Sequence, residues 1–265
     1  MSKTYAHFSD PALARPGVSP ARRILLIRVM TIAVLVAVWE AVSASGLLYK
    51  GVVPSFSLII PAFFKLIMSS ELYGNLLVTL SEVLSGIVIA AVIAIPCGLL
   101  FGARRFLGRA AEPYINALAT TPKIVFLPIV MLMVGIGPES KIALGALSAV
   151  FPIVLSIISG VIQVRRVHLD VGRSFNLSTL QMVTKIYLPS LVLPILTGLR
   201  LGLGVCIIGV LLGEIKLSNA GLGFLANDFY NLYLIPDLYA VLILIFALAV
   251  AANVLMEAVA KRFAS

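Results

Sequence analysis

Six stretches of the chain are apolar over the length of a bilayer: residues 24–44, 79–101, 113–134, 141–162, 192–214 and 238–260. A helix needs about 20 residues to cross hydrocarbon. With no water to bond to, the backbone of such a stretch satisfies itself by coiling into a helix. The pattern therefore predicts an all-α, polytopic membrane protein with six transmembrane helices. The third stretch carries Pro113, Pro122 and Pro128. Proline removes a helical hydrogen bond and crowds the preceding turn, so this span is predicted to kink or break. The stretch Pro54 to Ser70 is too interrupted to span, but Ile59, Ile60, Phe63, Phe64 and Ile67 recur at helical spacing. They predict a short amphipathic helix lying at the outer face.

The charges between these stretches set the orientation. Lys3, Arg15, Arg22 and Arg23 precede the first span, and Arg28 lies near its start. Arg104, Arg105 and Arg109 separate spans two and three. Arg165, Arg166, Arg173 and Lys185 separate spans four and five, and Lys261 and Arg262 follow span six. The other loops carry only Lys50, Lys65 and Lys216, with Lys141 at the edge of span four. Lysine and arginine stay preferentially on the cytoplasmic side, which predicts cytoplasmic N and C termini and agrees with an even number of spans. Residues 1–23 are expected to form a polar cytosolic tail, punctuated by Pro11, Pro16, Gly17 and Pro20, and 24–265 the membrane domain. No small-residue cleavage site closely follows the first apolar run, so no signal peptide is expected.

The cytoplasmic loop at 163–189 is the most informative segment. Val164, Val167, Val171 and Phe175 repeat every three or four residues, with Arg165, Arg166, Asp170 and Arg173 on other faces, which predicts an amphipathic helix. Asn176 tolerates the left-handed conformation that ends helices. Ser178 and Gln181 fit a capping box. A second helix should then carry Val183, Ile186 and Tyr187 on one face and stop at Pro189.

Composition narrows the class. The chain is 61% hydrophobic and only 12% charged, against about a quarter charged in soluble domains, so it lacks the polar residues to cover a soluble surface. Its net charge of +9 would raise nucleic acid as a partner for a soluble chain, but the basic residues sit in the loops of a membrane topology, and no nucleic acid is expected. Cys97 and Cys206 lie inside apolar runs, in no disulfide or metal spacing. Two histidines, His7 in the tail and His168 in the loop, with no HExxH and no paired carboxylates in sequence, argue against an enzyme. There is no GxxxxGK[ST] run for nucleotide.

Asp170-Val171-Gly172, then Asn176, then Ile186-Tyr187-Leu188-Pro189 resembles the cytoplasmic loop of ABC importer permeases. That pattern is Glu-Ala-Ala, a glycine four residues on, and a later Leu-Pro. Here Asp170 keeps the acid, Val171-Gly172 replaces Ala-Ala, and Asn176 replaces the glycine. The run Thr197-Gly198-Leu199-Arg200-Leu201-Gly202-Leu203-Gly204 is similar to the nitrate, sulfonate and taurine branch of that family. So are Thr121-Pro122-Lys123-Ile124 with Leu127-Pro128, Gly135-Ile136-Gly137, Ser140-Lys141-Ile142 and Ala220-Gly221-Leu222-Gly223. Order and spacing agree from about Trp39 to the end. Glu82 departs, standing where the branch usually carries arginine.

The resemblance implies a type I ABC importer permease fold in a bacterial inner membrane, forming half of a pore with a second permease subunit, identical or different. It implies cytosolic ATPase subunits that carry the ATP and Mg, with no cofactor in this chain. A periplasmic or lipid-anchored substrate-binding protein would deliver a small anionic or zwitterionic solute. Asp170, Gly172, Asn176, Leu188 and Pro189 are the expected ATPase-coupling residues. Asp170 has three roles open to it: accepting bonds at a helix start, pairing with an ATPase arginine, or a purely local cap. Glu40, Glu82 and Glu214 lie in or at the edges of spans and are candidate functional groups, with a solvated role equally open to Glu40 and Glu214. Arg200 is expected to snorkel or to pair with a carbonyl. Gly198, Gly202 and Gly204 are expected at close helix contacts. The alternative function is an ion-gradient-driven secondary transporter, which would want paired acids or histidines near mid-membrane.

Overall fold

The computed structural model describes residues 20–46 and 51–264. Lys3, Arg15 and Lys50, and the tail expected over 1–23 as far as residue 19, lie outside the described residues. Pro20 to Arg23, expected in that tail, already open a helix. The described chain is helical, with no strand among the described residues. It divides after Leu58 into two compact units, within what was expected to be one membrane domain.

In the first unit, α1 (Pro20–Ser45) is the first span. Trp39 Nε1 donates to the carbonyl of Pro54 at 3.0 Å, and Ser43 Oγ to that of Val53 at 2.9 Å. Glu40 has a local role: its Oε1 accepts from the Phe56 amide at 2.7 Å. Phe56 opens α2 (Phe56–Ile67), and a carboxylate suits the unbonded amides of a helix start. The amphipathic reading of this segment holds, but from Ile59 on α2 belongs to the second unit, where its buried face is Ile59, Ala62 and Leu66, while Ile60 and Phe64 are exposed.

The second unit contains the remaining spans. They are α3 (Ser70–Ala103), α4 (Arg105–Thr120), a 3-10 turn (Lys123–Phe126) leading into α5 (Leu127–Val134), and α6 (Pro138–Gln163). After a hairpin come α10 (Val192–Leu217), a short α11 (Leu222–Asn231) and α12 (Ile235–Ala264). The hairpin holds α7 (Arg166–Ser174), α8 (Thr179–Met182), a π turn (Val183–Tyr187) and α9 (Leu188–Ser190). Of the three prolines expected to disturb the third span, Pro122 stands at the break, where α4 and the segment Lys123–Val134 meet at 92°. Pro113 is accommodated inside α4, and Pro128 sits in the first turn of α5, where its missing amide costs nothing.

α3, α6 and α10 form the core. Glycines let their backbones approach, and the contacts reveal the register. A β-carbon at Gly86 would lie 3.3 Å from the Ile142 carbonyl oxygen, one at Gly98 2.7 Å from Ile157 Cβ, and one at Gly102 2.6 Å from Val161 Cβ. Numbers rise together, so α3 and α6 run parallel. Gly198 meets Ser156, Gly202 meets Ile153, and Gly213 meets Lys141, so α10 runs antiparallel to α6. Gly198 and Gly202 thus pack as expected, whereas Gly204 has open space around it. Because α3 and α6 are parallel, the broken segment between them must cross from one end of the bundle to the other. It counts as a span, which makes six among the described residues.

At the end of the bundle opposite the hairpin, three side chains receive the first amides of α11. Asn75 Oδ1 accepts from Gly221 N at 2.7 Å, Thr79 Oγ1 from Leu222 N at 2.8 Å, and Glu214 Oε2 from Gly223 N at 2.6 Å. Thr79 Oγ1 in turn donates to Glu214 Oε1 at 2.6 Å. Glu214 is wholly buried, not solvated as one reading allowed, because the α10–α11 turn folds back over it. Glu82 is 1% exposed, and its two oxygens have no hydrogen-bond partner among the described residues. Glu214 and Lys141 lie within electrostatic reach of it. Near the hairpin end, Arg200 pairs with two α12 side chains, one of them through the amide carbonyl of Asn253. Its Nε donates to Asn253 Oδ1 at 2.6 Å, and Nη2 meets Glu257 Oε2 at 3.2 Å.

Thr79→Val would strand the Leu222 amide and one Glu214 oxygen, at about 1–3 kcal/mol each. It should lower the melting midpoint in detergent far more than Ser81→Ala, whose hydroxyl is exposed and bonds only to the Val78 carbonyl. Glu82→Met replaces a buried carboxyl that lacks a partner with an apolar side chain of similar volume and should raise the midpoint by roughly 2 °C or more. A lower midpoint for Glu82→Met would mean that the carboxyl has a bonded partner.

Candidate functional site

The hairpin leaves α6 at Val164, and Leu191 returns it to α10. It therefore joins two of the three helices that form the core. Its stiffness comes from local chemistry. Asn176 adopts φ 52°, the left-handed conformation. Around it, the Leu177 amide donates to the Gly172 carbonyl at 3.0 Å and the Asn176 amide to that of Arg173 at 2.9 Å. This is the paired-bond ending that closes many helices. Two residues on, Ser178 Oγ accepts from the Gln181 amide at 3.3 Å and Gln181 Oε1 from the Ser178 amide at 2.9 Å, which completes the capping box.

Gly172 is buried where the two arms of the hairpin touch. A β-carbon there would lie 2.5 Å from Ile186 Cδ1 and 2.9 Å from Met182 Sδ. The glycine therefore sets how closely α7 lies on the returning arm. Pro189 does not stop that arm as expected. The helix widens to a π turn over Val183–Tyr187, the Leu188 amide reaches back to the Val183 carbonyl, and the chain stays helical through Ser190. Widening the turn relieves the crowding that a proline ring imposes on the previous turn. Leu188 is half-buried and Pro189 is exposed.

Asp170 sits in the middle of α7, away from any helix start. It forms an exposed ion pair with Arg173 at 3.1 Å, three residues on. Such a pair contributes about 0–1 kcal/mol and leaves the carboxylate open to other cations. The five expected coupling residues do not converge on one pocket. Gly172, Asn176 and Leu188 shape the hairpin, and Asp170 and Pro189 lie on its surface.

The apolar stripe of α7 faces outward. Val167, Val171 and Phe175 are exposed, Phe175 at 77%, and Leu180 beyond the turn is 73% exposed. An amphipathic helix in a self-contained protein turns such a stripe inward. The period was readable from the sequence, but its direction was not, because it depends on Gly172 occupying the inward face. Sequence reasoning also missed Asn75 and Thr79. Their signal was three polar residues, Asn75, Thr79 and Glu82, at helical spacing on an otherwise apolar span.

The family described as the binding-protein-dependent transport system inner membrane component matches residues 86–265. SsuC of Bacillus subtilis, provisionally named an aliphatic sulfonates transport permease protein, is 30% identical over 196 residues, covering 74% of this chain and 71% of that one. The nitrate import permease protein NrtB of Synechocystis is 31% identical over 240 residues, 88% of this chain and 83% of that one. The taurine transport system permease protein TauC of Escherichia coli is 28% identical over 214 residues, 79% of this chain and 78% of that one. A chain of the inward-facing MetNI methionine ABC transporter superposes with a TM-score of 0.66 at 19% identity, covering 74% of this chain and 99% of that chain; it shares the fold.

Asn176→Gly should leave the hairpin turn intact. Asn176→Val forces a β-branched residue into the left-handed region, at about 1–2 kcal/mol. It should speed amide hydrogen exchange at Leu177, whose bond closes the turn. Equal exchange in both variants would refute the role of the turn.

Proposed function

The chain belongs to the family of binding-protein-dependent transport system inner membrane components, and from that premise we propose that it forms half of the pore of an ATP-driven importer for a small anionic or zwitterionic solute. It is a multi-pass membrane transport component. In this reading the nucleotide chemistry, with ATP and Mg, belongs to separate ATPase subunits in the cytosol. A second permease subunit, identical or different, completes the pore, and a periplasmic or lipid-anchored protein hands over the solute. The relatives named for sulfonate, nitrate and taurine transport support the solute class. The positive residues at the hairpin end, Arg104, Arg109, Arg165, Arg166, Arg173, Lys185, Lys261 and Arg262, support a cytoplasmic position for that end in a bacterial inner membrane.

One observation carries the coupling role: a stiff, doubly capped hairpin presents Val167, Val171, Phe175 and Leu180 to the outside. Apolar side chains on a short loop helix, flanked by Arg166 and Arg173, suit the groove of a partner protein, with Phe175 as anchor. ATP binding favours one arrangement of the ATPase pair. The hairpin passes that preference to α6 and α10, to which its ends are joined.

The ion-gradient alternative gains one observation. The core brings Glu82 and Glu214 together although they are far apart in sequence. They lie toward the end of the bundle away from the hairpin, however, and not at mid-span as a coupling-ion site would.

Reconstituted with its ATPase and binding protein, the chain should take up nitrate, taurine or methanesulfonate only with ATP, and uptake should survive collapse of ion gradients. Phe175→Asp should reduce ATPase co-purification at least about tenfold. Uptake by the chain alone, driven by an ion gradient, would refute the proposal.

A further inference from the structure

The break in the third span places a lysine inside the membrane. Lys123 follows Pro122 directly and lies near the middle of the segment running from Arg105 to Val134. Its Nζ donates to the carbonyls of Leu118 at 2.5 Å, Ala119 at 2.8 Å and Thr121 at 2.8 Å, and it stands 5.1 Å from the centre of the Phe151 ring. These partners are dipoles and a π face, and none carries a formal charge. Among the described residues no carboxylate lies within salt-bridge distance of it. An ionisable group at this depth is costly and is rarely kept without a use.

Lys123 lines a cavity of about 400 Å³ together with Thr121, Ser148, Leu155, Val205 and Ile208. Ser148 lies near the middle of α6 and Val205 near the middle of α10, so the cavity sits at mid-depth between a broken span and two continuous ones. Discontinuous helices at mid-membrane are a recurring place for a transported solute to pause, and the size suits a small molecule. We propose that Lys123 and this cavity form the transit site for the anionic group of the solute; this rests on the reading of the chain as an anion importer and adds where the charge is met.

The three carbonyls explain how the site can be weak. They hold the ammonium without cancelling its charge, so a passing anion gains Coulomb attraction without a tight chelate and can leave again. The apolar lining of Leu155, Val205 and Ile208 lowers the local dielectric and strengthens that attraction.

The site can be tested without knowing the solute. In the assembled transporter, Thr121→Cys and Ser148→Cys are exposed to two methanethiosulfonates, one ending in a sulfonate and one in a trimethylammonium. Rates are normalised to those with a free thiol, and the chain's own Cys97 and Cys206 supply the background. The anionic reagent should react about tenfold faster than the cationic one. The preference should persist in Lys123→Arg, vanish in Lys123→Gln, and shrink as salt is raised, a measurement that needs no change at residue 123. A lysine that only ends α4 would not move this ratio. Equal rates with Lys123 present, an anion preference that survives Lys123→Gln, or no reaction in either the nucleotide-free or the ATP-bound transporter would overturn the site. A chain that shows the preference but imports none of nitrate, taurine or methanesulfonate would keep the site and retire the solute class.

Discussion

Hydrocarbon offers no bonding partner to an unpaired amide, and the end of the bundle opposite the hairpin is organised around that fact. α11 begins with Gly221, Leu222 and Gly223, whose amides have no carbonyl in their own helix to reach. Asn75, Thr79 and Glu214 accept them, and Thr79 also bonds Glu214. Two spans and a turn are thereby tied through one polar knot. Under it, Leu222, Leu225 and Ala226 pack with Ala62 and Leu66 of α2 and with Ala240 and Val241 of α12. Without the knot, α11 could not sit on the bundle without leaving several dry, unbonded polar atoms, each costing more than one apolar contact gains.

The opposite end solves a different problem. There the chain leaves the apolar core and must stay rigid without much packing. It does so through short-range bonds: the paired amides around Asn176, the Ser178–Gln181 box, and the bare backbone of Gly172 against Met182 and Ile186. The widened turn before Pro189 lets the returning arm run on through Ser190. Rigidity in the hairpin is local chemistry, and rigidity in the knot is tertiary.

That contrast explains what the sequence discloses. The spans, the break at Pro122, the left-handed Asn176 and the capping box all follow from rules acting within a few residues, and all are present. The parallel pairing of α3 with α6, the burial of Glu214 and the outward direction of the α7 stripe depend on residues far apart in the chain. No local pattern encodes those meetings. Pro189 failed as a helix stop for the same reason in miniature, since the rule for the residue before proline assumes ordinary helical turns, and here the turn changed. Glu82 remains a buried carboxyl with no hydrogen-bond partner among the described residues, and nothing in the structure explains its choice over a neutral residue.

α6 touches α3 and α10 through glycine on one side or the other along much of its length. On the glycine side of each contact there is no side chain that could rotate aside. Sliding one helix along another would drive β-carbons into carbonyls, so the trio resists shear and moves as a block. In the proposed importer, a push delivered at residue 163 or 191 would be carried by the trio toward its far end, some 40 Å off for a helix of 26 residues at ~1.5 Å per residue.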